Sequence, residues 1–328
     1  KLDTIALGVA AVKGLLKKYP VDRRDIKGLT WGGVIIPSAS ANIGREIILE
    51  AGLPPEVEGT TVSRVCTSGL FAITTAAAAI ERGEADVMIA GGGDSTSNAE
   101  LKMPQRLVQT LAPVAMNRKS GPADYLKAFL KLNLPKDILP SPPSPRERST
   151  GELMGEAGEK MGARNNISRE DQDAFAVQSH LRAAAAMEQG RFADEIGAME
   201  VRGKLISADD NVRGDANVEK MAKLRPAFAK KGTLTAGNSS TLTDGAGAVL
   251  LMSEQKARAL GFDKLVAFRS WSYDAVDPAD QMLLGPAISM PRAAVRAGMT
   301  RADLDLIDIH EAFAAQVLVI LKMLASES

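Results

Sequence analysis

Residues 60–93 read TTVSRVCTSGLFAITTAAAAIERGEADVMIAGGG, and this stretch indicates the fold class. Its pattern predicts a short strand over 60–65, an alanine-rich helix over about 68–82 and a buried strand over 85–90 that ends in three glycines. Strands that alternate with helices are typical of layered folds in which helices cover the faces of a sheet. We therefore predict an α/β fold.

The sequence on either side continues this alternation. Helices are predicted over 4–18 and 41–51, and strands over 29–37 and 245–252. Residues 104–235 carry most of the Lys, Arg and Pro, including the run 139–145, which cannot continue a helix. Within this segment a helix is predicted to begin after Ser168, which would cap it, with Asp171 three residues on.

These changes predict four segments. They are the first half-domain with the cysteine (1–103), an inserted loop and ligand-binding subdomain (104–235), a strand that returns to the first half (236–256) and the start of a second half (257–328). The sequence PVDRRDIKGL at 20–29 aligns with GMTRADLDLI at 298–307, which predicts two similar α/β halves. On this alignment the counterpart of residues 60–94 would lie beyond residue 328, so we expect the second half to be incomplete.

The composition limits the function. With 40 Lys and Arg against 40 Asp and Glu, the formal net charge is zero, which argues against nucleic acid as a partner. One cysteine cannot form an internal disulfide, and one cysteine with two histidines cannot build an ordinary metal cluster, so no metal is expected. No stretch has the roughly 20 apolar residues of a membrane span. We expect a soluble protein in a reducing compartment.

Cys66 lies between the predicted strand and the alanine-rich helix. The start of a helix presents free N–H groups and a positive dipole end, which favour a thiolate. Gly69 would also leave room for a substrate to approach. A lone cysteine is equally well a small buried core residue. The local sequence leaves both interpretations open.

His310 and Glu311 follow the alternating run 304–309, which predicts a strand that would deliver both side chains to a ligand site. Alternatively, His310 caps a helix and Glu311 binds its backbone. A loop at 235–245 is rich in small polar residues that can donate to a ligand. Six basic residues precede it: Arg213, Lys220, Lys223, Arg225, Lys230 and Lys231. They indicate either a phosphorylated ligand or a solvated face.

Four motifs occur in the order seen in thiolases, the acyl-CoA C-acyltransferases: VSRVCTSG (62–69), STGELMGE (149–156), KLRPAFAKKGTLTAGNSSTLTDGAGA (223–248) and HEAFA (310–314). The chain resembles this family over nearly its whole length. With histidine at 310 and a long insertion, it is most similar to the β subunit of the fatty-acid β-oxidation trifunctional complex. The resemblance implies a duplicated five-layer α-β-α-β-α thiolase fold with an inserted loop domain, here with the second half truncated.

The resemblance also implies a reaction and its residues. It implies thiolytic cleavage of 3-ketoacyl-CoA to acetyl-CoA and a shortened acyl-CoA, or the reverse condensation, with Cys66 as the nucleophile. The Cys66 N–H would help to hold one oxyanion, and His310 would position a water at the other, where many thiolases have asparagine. CoA contacts are implied at Met154, Arg213, Phe228, Ala236, Ser240 and Phe313. Leu153 replaces a histidine that is common before this methionine.

Two thiolase motifs do not occur in the sequence: GHP, whose histidine activates the nucleophile, and CxGG, whose cysteine handles protons at the substrate's alpha carbon. We therefore expect little or no thiolase turnover from these 328 residues. Two alternatives are a condensing enzyme of the ketoacyl-synthase kind and a non-catalytic CoA-binding protein.

The resemblance implies partners as well. CoA and acyl-CoA are expected as substrates, with no permanently bound cofactor. The chain would form a homodimer or a dimer of dimers, with the α subunit of a trifunctional complex as a further partner. It would act in a bacterial cytoplasm or in the mitochondrial matrix.

Overall fold

The structure is a computed structural model that describes residues 2–141, 146–263 and 265–326. Of the predicted proline-rich run 139–145, residues 142–145 lie outside the described residues. The strands are β1 (Ile26–Gly32), β2 (Glu58–Val62), β3 (Val87–Asp94), β4 (Met199–Val201), β5 (Lys204–Ile206) and β6 (Gly245–Met252).

The α-helices of the described residues are α1 (Thr4–Lys18), α2 (Ile43–Ala51), α3 (Ser68–Glu81), α4 (Gln105–Ala115), α5 (Pro122–Phe129), α6 (Met154–Arg164), α7 (Arg169–Glu188), α8 (Val218–Ala222), α9 (Glu254–Ala259), α10 (Pro278–Gln281), α11 (Gly285–Arg296) and α12 (Ala314–Ala325). Short 3₁₀ helices lie at Arg23–Asp25, Thr96–Asn98 and Arg301–Asp303. None of the helices in the described ranges is both long and apolar enough to cross a membrane.

A four-stranded sheet with the order β2-β1-β3-β6 forms the centre of the fold. β1 is parallel to β2 and to β3, with Thr30 opposite Thr60 on one side and Ala90 on the other. β6 is antiparallel to β3, with Val249 opposite Ala90. The predicted strand–helix–strand unit is therefore confirmed as β2, α3 and β3. β6 returns to the same sheet after the long segment that separates it from β3.

The sheet lies between two helical layers. α1 and α2 cover one face and α3 covers the other. Side chains alternate along a strand, so Leu29 and Trp31 point to the α1 and α2 side, where they form the larger core with Ile89. Small side chains such as Ala76 and Ala90 fill the α3 side. The alanine-rich sequence of α3 thus lets this helix pack closely on the sheet.

The inserted segment packs against the last helix of the described chain. α6 and α7 contact α12, and Met161 of α6 shares a buried cluster with Val319 and Ile320 of α12. β4 and β5 form a separate antiparallel hairpin. This packing brings the start of α6, which carries the STGELMGE motif, close to HEAFA at the start of α12.

Most predicted elements are confirmed, with shifted ends. The helix predicted over about 68–82 is α3, and the strand predicted over 245–252 is β6. The Ser168 cap is confirmed because its hydroxyl accepts the amide N–H of Asp171 at 3.0 Å. The strand predicted over 29–37 ends early, at Gly32, because Val34 and Ile35 donate their amides to Asp94 instead of continuing the sheet.

The predicted repeat is visible only in part. Arg23–Asp25 and Arg301–Asp303 occupy matching places and both form 3₁₀ helices, after α1 and α11 respectively. The strand predicted over 304–309 is wrong. Leu304 has an extended backbone, but none of the described residues pairs with this run as a neighbouring strand, and Leu306 is 92% exposed. A strand requires hydrogen bonds from a partner strand, which β1 has on both sides.

Candidate active site

A tight turn places Cys66 between the end of β2 and the start of α3. Val65 has a positive φ of 49°, which is rare for a β-branched residue. The Ser68 hydroxyl donates to the Val65 carbonyl oxygen at 2.6 Å and accepts the Arg64 amide at 2.7 Å. The Thr67 hydroxyl donates to the Arg64 carbonyl oxygen at 2.9 Å. These bonds fix the backbone on both sides of Cys66, which is exposed, so the interpretation as a buried core residue is wrong.

Glycines allow α3 to begin close to the sheet. A Cβ atom on Gly32 would lie 2.4 Å from the carbonyl carbon of Ser68, and one on Gly92 would lie 2.9 Å from the Gly32 carbonyl oxygen. Both distances are too short for real atoms, so the glycines at the ends of β1 and β3 have a structural role. At Gly69 an added Cβ would meet nothing within 4 Å, which agrees with the predicted room for a substrate.

A cavity of ≈ 570 Å³ lies at this helix start. Glycines of β1, β3 and β6 form much of its wall, and Cys66 and His310 both line it. Both residues are exposed. The structure therefore brings together two residues that the sequence places in separate motifs.

Asp94, the last residue of β3, also lines the cavity and is absent from the predicted site residues. Its carboxylate accepts the amide N–H groups of Val34 at 2.9 Å and of Ile35 at 2.6 Å. It thereby shapes the loop that leaves β1. The signal in the sequence was a carboxylate directly after three glycines at the carboxyl end of a buried strand.

The HEAFA segment (310–314) pairs with residues 237–240, which read GNSS, in the polar loop at 235–245. The Ser240 amide donates to the Ala312 carbonyl oxygen at 2.9 Å, and the Ala314 amide donates to the Asn238 carbonyl oxygen at 3.0 Å. This pairing places the exposed Ser240 beside the segment that carries His310. Two motifs far apart in sequence thus form one local structure.

His310 and Glu311 do not have the helix-capping roles considered above. α12 begins at Ala314, and Phe313 occupies its N-cap position. The Glu311 carboxylate accepts the hydroxyl of Ser179 in α7 at 2.6 Å. Glu311 therefore fastens the segment that follows His310 to α7.

Three predicted CoA residues, Met154, Phe228 and Phe313, share one apolar cluster. The rings of Phe228 and Phe313 pack edge to face. α6 approaches this pair through Gly155, where an added Cβ would lie 2.2 Å from the Phe228 ring. Phe313 is buried, whereas Phe228 and Met154 are half-buried. The cluster therefore has a partly exposed side that can contact an apolar ligand segment.

Buried polar groups hold the loop on which Ala236 and Ser240 lie. Asn238, only 2% exposed, accepts the Thr235 amide at 2.7 Å and donates to the Asp173 carboxylate at 2.9 Å. Asp173 also pairs with Arg169 at 2.7 Å. Arg169 and Asp173 were not predicted. Their signal was an Arg and an Asp four positions apart, on one face of the predicted helix.

The remaining predicted contacts lie at the surface. Arg213 and Ala236 are exposed, as are the other five residues of the basic cluster. The Arg213 amide donates to His180 Nδ1 of α7 at 3.4 Å, so Arg213 lies beside α7 and not in the wall of the Cys66 cavity. Among the described residues, no group of three or more His, Cys, Asp or Glu side chains could hold a metal ion.

Comparisons with known proteins agree with this arrangement. A family model described as the thiolase N-terminal domain matches residues 1–255, and one described as the thiolase C-terminal domain matches residues 262–328. A 3-ketoacyl-CoA thiolase of Pseudoalteromonas translucida is 43% identical over 329 residues, which cover 99% of this chain and 75% of that relative.

Solved structures are similar over the whole chain. The Bacillus anthracis acetyl-CoA acetyltransferase superposes with a TM-score of 0.83 at 31% identity, covering 100% of this chain and 79% of that one. Human mitochondrial 3-ketoacyl-CoA thiolase in complex with CoA superposes with a TM-score of 0.86 at 29% identity, covering 100% of this chain and 78% of that one. These similarities confirm the predicted thiolase fold.

The matches also correct one expectation. Because a C-terminal domain model matches residues 262–328, both thiolase domains are represented, and the matches do not support a truncated second half. Together the two models account for nearly every residue from 1 to 328. The chain belongs to the thiolase family.

Proposed function

We propose that this thiolase transfers acyl groups between CoA thioesters through Cys66, by thiolytic cleavage of 3-ketoacyl-CoA or by the reverse condensation. One observation carries the proposal: the exposed Cys66 at the start of α3 and His310 line the same cavity. A positioned thiol beside a polar side chain suits acyl transfer through a covalent thioester. The relatives named 3-ketoacyl-CoA thiolase and acetyl-CoA acetyltransferase support this substrate class.

The cleavage direction has two steps. The Cys66 thiolate attacks the C3 carbonyl carbon of the 3-ketoacyl-CoA, and the C2–C3 bond breaks with its electron pair on C2. C2 takes a proton from the solvent to complete acetyl-CoA, and the thiol of a second CoA returns one proton to the solvent when it ionises. The shortened acyl group stays on Cys66 as a thioester. The deprotonated thiol of the second CoA then attacks this thioester and releases the Cys66 thiolate.

Negative charge develops on a carbonyl oxygen in each step, and donors aimed at it lower the barrier. The backbone N–H of Cys66 is one proposed donor, because the start of α3 adds the positive end of a helix dipole. His310 is the other, either directly or through a water. Asp94 supports the cavity by holding the backbone of the loop after β1.

We assign CoA binding to the predicted residues Met154, Arg213, Phe228, Ala236, Ser240 and Phe313. Support comes from the apolar cluster that Met154 shares with Phe228 and Phe313, and from the pairing of Ser240 with the HEAFA segment. In this proposal the aromatic rings contact the pantetheine arm. The exposed Arg213 supplies positive charge for a CoA phosphate, and CoA is a substrate, not a resident cofactor.

Cys66 is the only cysteine in the sequence, so its acylation can be read from the mass of the intact protein. Incubation with acetyl-CoA is expected to add one acetyl group, which CoA then removes. Cys66→Ser is expected to abolish this thioester. Ser63→Ala is the matched control, since it alters an exposed residue just before the same turn and leaves the thiol in place.

The result also separates the alternatives. An acyl group that appears equally on wild type and on Cys66→Ser would disprove the proposed nucleophile. CoA binding by calorimetry without any acylation would indicate a non-catalytic CoA-binding protein. Acylation by acyl-carrier protein but not by CoA would indicate a condensing enzyme, which the two thiolase domain matches disfavour.

The assembly and compartment belong to the same proposal. We expect a homodimer or a dimer of dimers, which light scattering would measure, and no binding to nucleic acid. A trifunctional-complex α subunit is a further proposed partner, testable by co-purification. The relatives include bacterial and human mitochondrial proteins, so both a bacterial cytoplasm and a mitochondrial matrix are proposed compartments.

A further inference from the structure

Arg64, two residues before Cys66, stacks on an aromatic pair. Its guanidinium carbon lies 4.5 Å from the ring centroid of Tyr273 and 5.5 Å from that of Phe71. The two rings themselves pack edge to face, with their centroids 5.4 Å apart. Arg64 lies in the part matched by the N-terminal thiolase domain, and Tyr273 lies in the part matched by the C-terminal domain. The contact therefore links the turn that carries Cys66 to the part of the chain matched by the C-terminal domain.

Tyr273 lies on a segment without helix or strand that is nonetheless firmly held. Its hydroxyl forms a hydrogen bond with Thr74 of α3. On the other side, α11 fastens the same segment by three contacts: Ser270 with Ala293, Trp271 with Arg296, and Asp274 with Arg292. The Tyr273 ring is thus fixed between α3 and α11.

The backbone of Arg64 is part of the turn that presents Cys66. Its amide donates to the Ser68 hydroxyl, and its carbonyl oxygen accepts the hydroxyl of Thr67. The next residue, Val65, has the positive φ that is rare for a β-branched side chain. Such a conformation persists only when the surrounding structure holds it. A side-chain contact that immobilises Arg64 therefore helps to hold the backbone of Cys66.

We propose that Tyr273 and Arg64 form an interdomain clamp that positions Cys66 for acyl transfer. Tyr273 acts through Arg64 as a positioning residue and does not contact the substrate. The inference rests on the proposed acyl-enzyme role of Cys66. A cation–π contact at an exposed site is individually weak, but small displacements of a nucleophile reduce the rate strongly.

The test compares four single substitutions, Arg64→Gln and the three described next, and the double variant Arg64→Gln/Tyr273→Leu. Tyr273→Leu removes the ring, and Tyr273→Phe keeps the ring but removes the hydroxyl that contacts Thr74. Tyr19→Leu is the matched control: Tyr19 is 39% exposed against 41% for Tyr273, and Lys18 lies 5.4 Å from its ring centroid. Besides the Kd for CoA, obtained by calorimetry, two measurements are made on each protein. They are the single-turnover rate of Cys66 acylation by acetyl-CoA, and amide hydrogen exchange in the peptide that contains residues 64–68.

Tyr273→Leu is expected to slow acylation on the order of tenfold while the Kd for CoA changes by no more than about twofold, because positioning affects the reaction step and not binding. Exchange in residues 64–68 is expected to become faster. Tyr273→Phe should restore both values towards wild type, and Tyr19→Leu should change neither. Arg64→Gln should change the acylation rate and the hydrogen exchange as much as Tyr273→Leu does. The double variant Arg64→Gln/Tyr273→Leu should show no further loss of rate, because each substitution removes the same contact.

Three results would overturn the clamp: wild-type acylation in Tyr273→Leu, unchanged exchange in residues 64–68, or a loss in Tyr273→Phe as large as that in Tyr273→Leu. If Tyr273→Leu fails to fold, Arg64→Gln decides by the same two measurements, since Arg64 is exposed. Failure of the proposed function would look different, because wild type itself would then not be acylated. In that case the positioning role in acyl transfer is also disproved. Amide hydrogen exchange in residues 64–68 still shows whether the contact between Tyr273 and Arg64 holds the backbone there.

Discussion

The rings of Phe228 and Phe313 pack edge to face, with their centroids 5.7 Å apart and their planes at 86°. Phe228 comes from the segment before the GNSS residues and Phe313 from HEAFA, so this contact joins two motifs proposed to bind CoA. Aromatic pairs of this kind contribute about 0.5–1.5 kcal/mol beyond the burial of their surface. The ring of Phe228 can occupy this position only because Gly155 of α6 has no side chain.

Gly155→Ala is expected to lower the free energy of unfolding by about 1–3 kcal/mol and to weaken CoA binding, because the added methyl group overlaps the Phe228 ring. Urea denaturation and calorimetry measure the two effects. Gly14→Ala in α1 is the control, since its added Cβ would meet nothing within 4 Å. It is expected to raise stability by about 0.5–1 kcal/mol. Unchanged CoA affinity in a destabilised Gly155→Ala protein would argue against a CoA contact at Phe228.

Asn238→Ala is expected to cost about 2–4 kcal/mol of unfolding free energy, because it removes the buried hydrogen bonds of Asn238 to the Thr235 amide and to one carboxylate oxygen of Asp173, whose other oxygen stays paired with Arg169. Asn217→Ala is the matched control. Asn217 accepts the Lys220 amide at the start of α8, on the protein surface, and its loss is expected to cost about 1 kcal/mol. Equal losses in the two variants would show that the buried network stabilises the loop no more than an exposed helix cap does.

Local sequence was sufficient to predict the position of Cys66 between a strand and a helix. The short strand pattern at 60–65, the alanine-rich run at 68–82 and the apolar run at 85–90 with its three glycines indicated β2, α3 and β3 almost without reference to the rest of the chain. Because Cys66 lies at the junction of the first two, its place at a helix start follows from the same pattern. The cap at Ser168 is equally local, since its acceptor and donor are three residues apart.

The missed features depend on neighbours that are distant in sequence. Residues 26–32 and 304–309 have similar patterns after matching 3₁₀ helices, yet within the described part of the chain only the first run pairs with other strands. The role of Asp94 depends on the amides of Val34 and Ile35, and that of Tyr273 depends on Arg64. Such pairings carry no local signal, so a single sequence could not indicate them.

Asp274 is expected to make the free energy of unfolding depend on pH in the acidic range. The Ser272 hydroxyl, followed by Arg292, holds the pKa of the Asp274 carboxyl below its ordinary value. A folded pKa below the unfolded value of about 3.9 means that the ionised carboxylate stabilises the fold above that value. This stabilisation is lost as the pH falls through the lower folded pKa.

Asp274→Asn should therefore be less stable than wild type at neutral pH, and the difference should shrink as the pH falls below about 4. Urea denaturation across this range measures it. Asp305→Asn, which removes an exposed carboxylate from the same domain, controls for the change in net charge. A difference that stays constant with pH would mean that Asp274 has the same pKa in the folded and unfolded states.

His310→Ala is expected to slow the acylation of Cys66 by about 100-fold, the effect of losing one oxyanion donor. His310→Asn should retain more of the rate, because its amide can also donate. His180→Ala is the control, since His180 is the other histidine and does not line the cavity. Stopped-flow acylation measures the rates. Equal rates in His310→Ala and wild type would exclude His310 as a donor in this step.

Acyl transfer and carbon–carbon bond cleavage are expected to differ sharply in rate. Transfer of the acetyl group from acetyl-CoA to Cys66 exchanges one thioester for another and places no proton on carbon. Cleavage of a 3-ketoacyl-CoA also needs a proton delivered to C2, and of the two histidines and one cysteine only Cys66 and His310 line the cavity. We therefore expect acetylation of Cys66 by acetyl-CoA to proceed readily while steady-state thiolysis of acetoacetyl-CoA is slow.

Quenched-flow mass spectrometry of the acyl-enzyme and a thiolysis assay on the same protein measure the two rates. Added imidazole should raise the rate of thiolysis more than that of acetyl transfer, since only thiolysis needs a proton carried to C2. Cys66→Ser is the control and should show neither reaction. Thiolysis that keeps pace with acetyl transfer without imidazole would contradict this expectation. It would mean that a side chain of the cavity, such as His310 or Asp94, delivers the proton to C2. If that side chain is His310, His310→Ala should suppress thiolysis more than acetyl transfer.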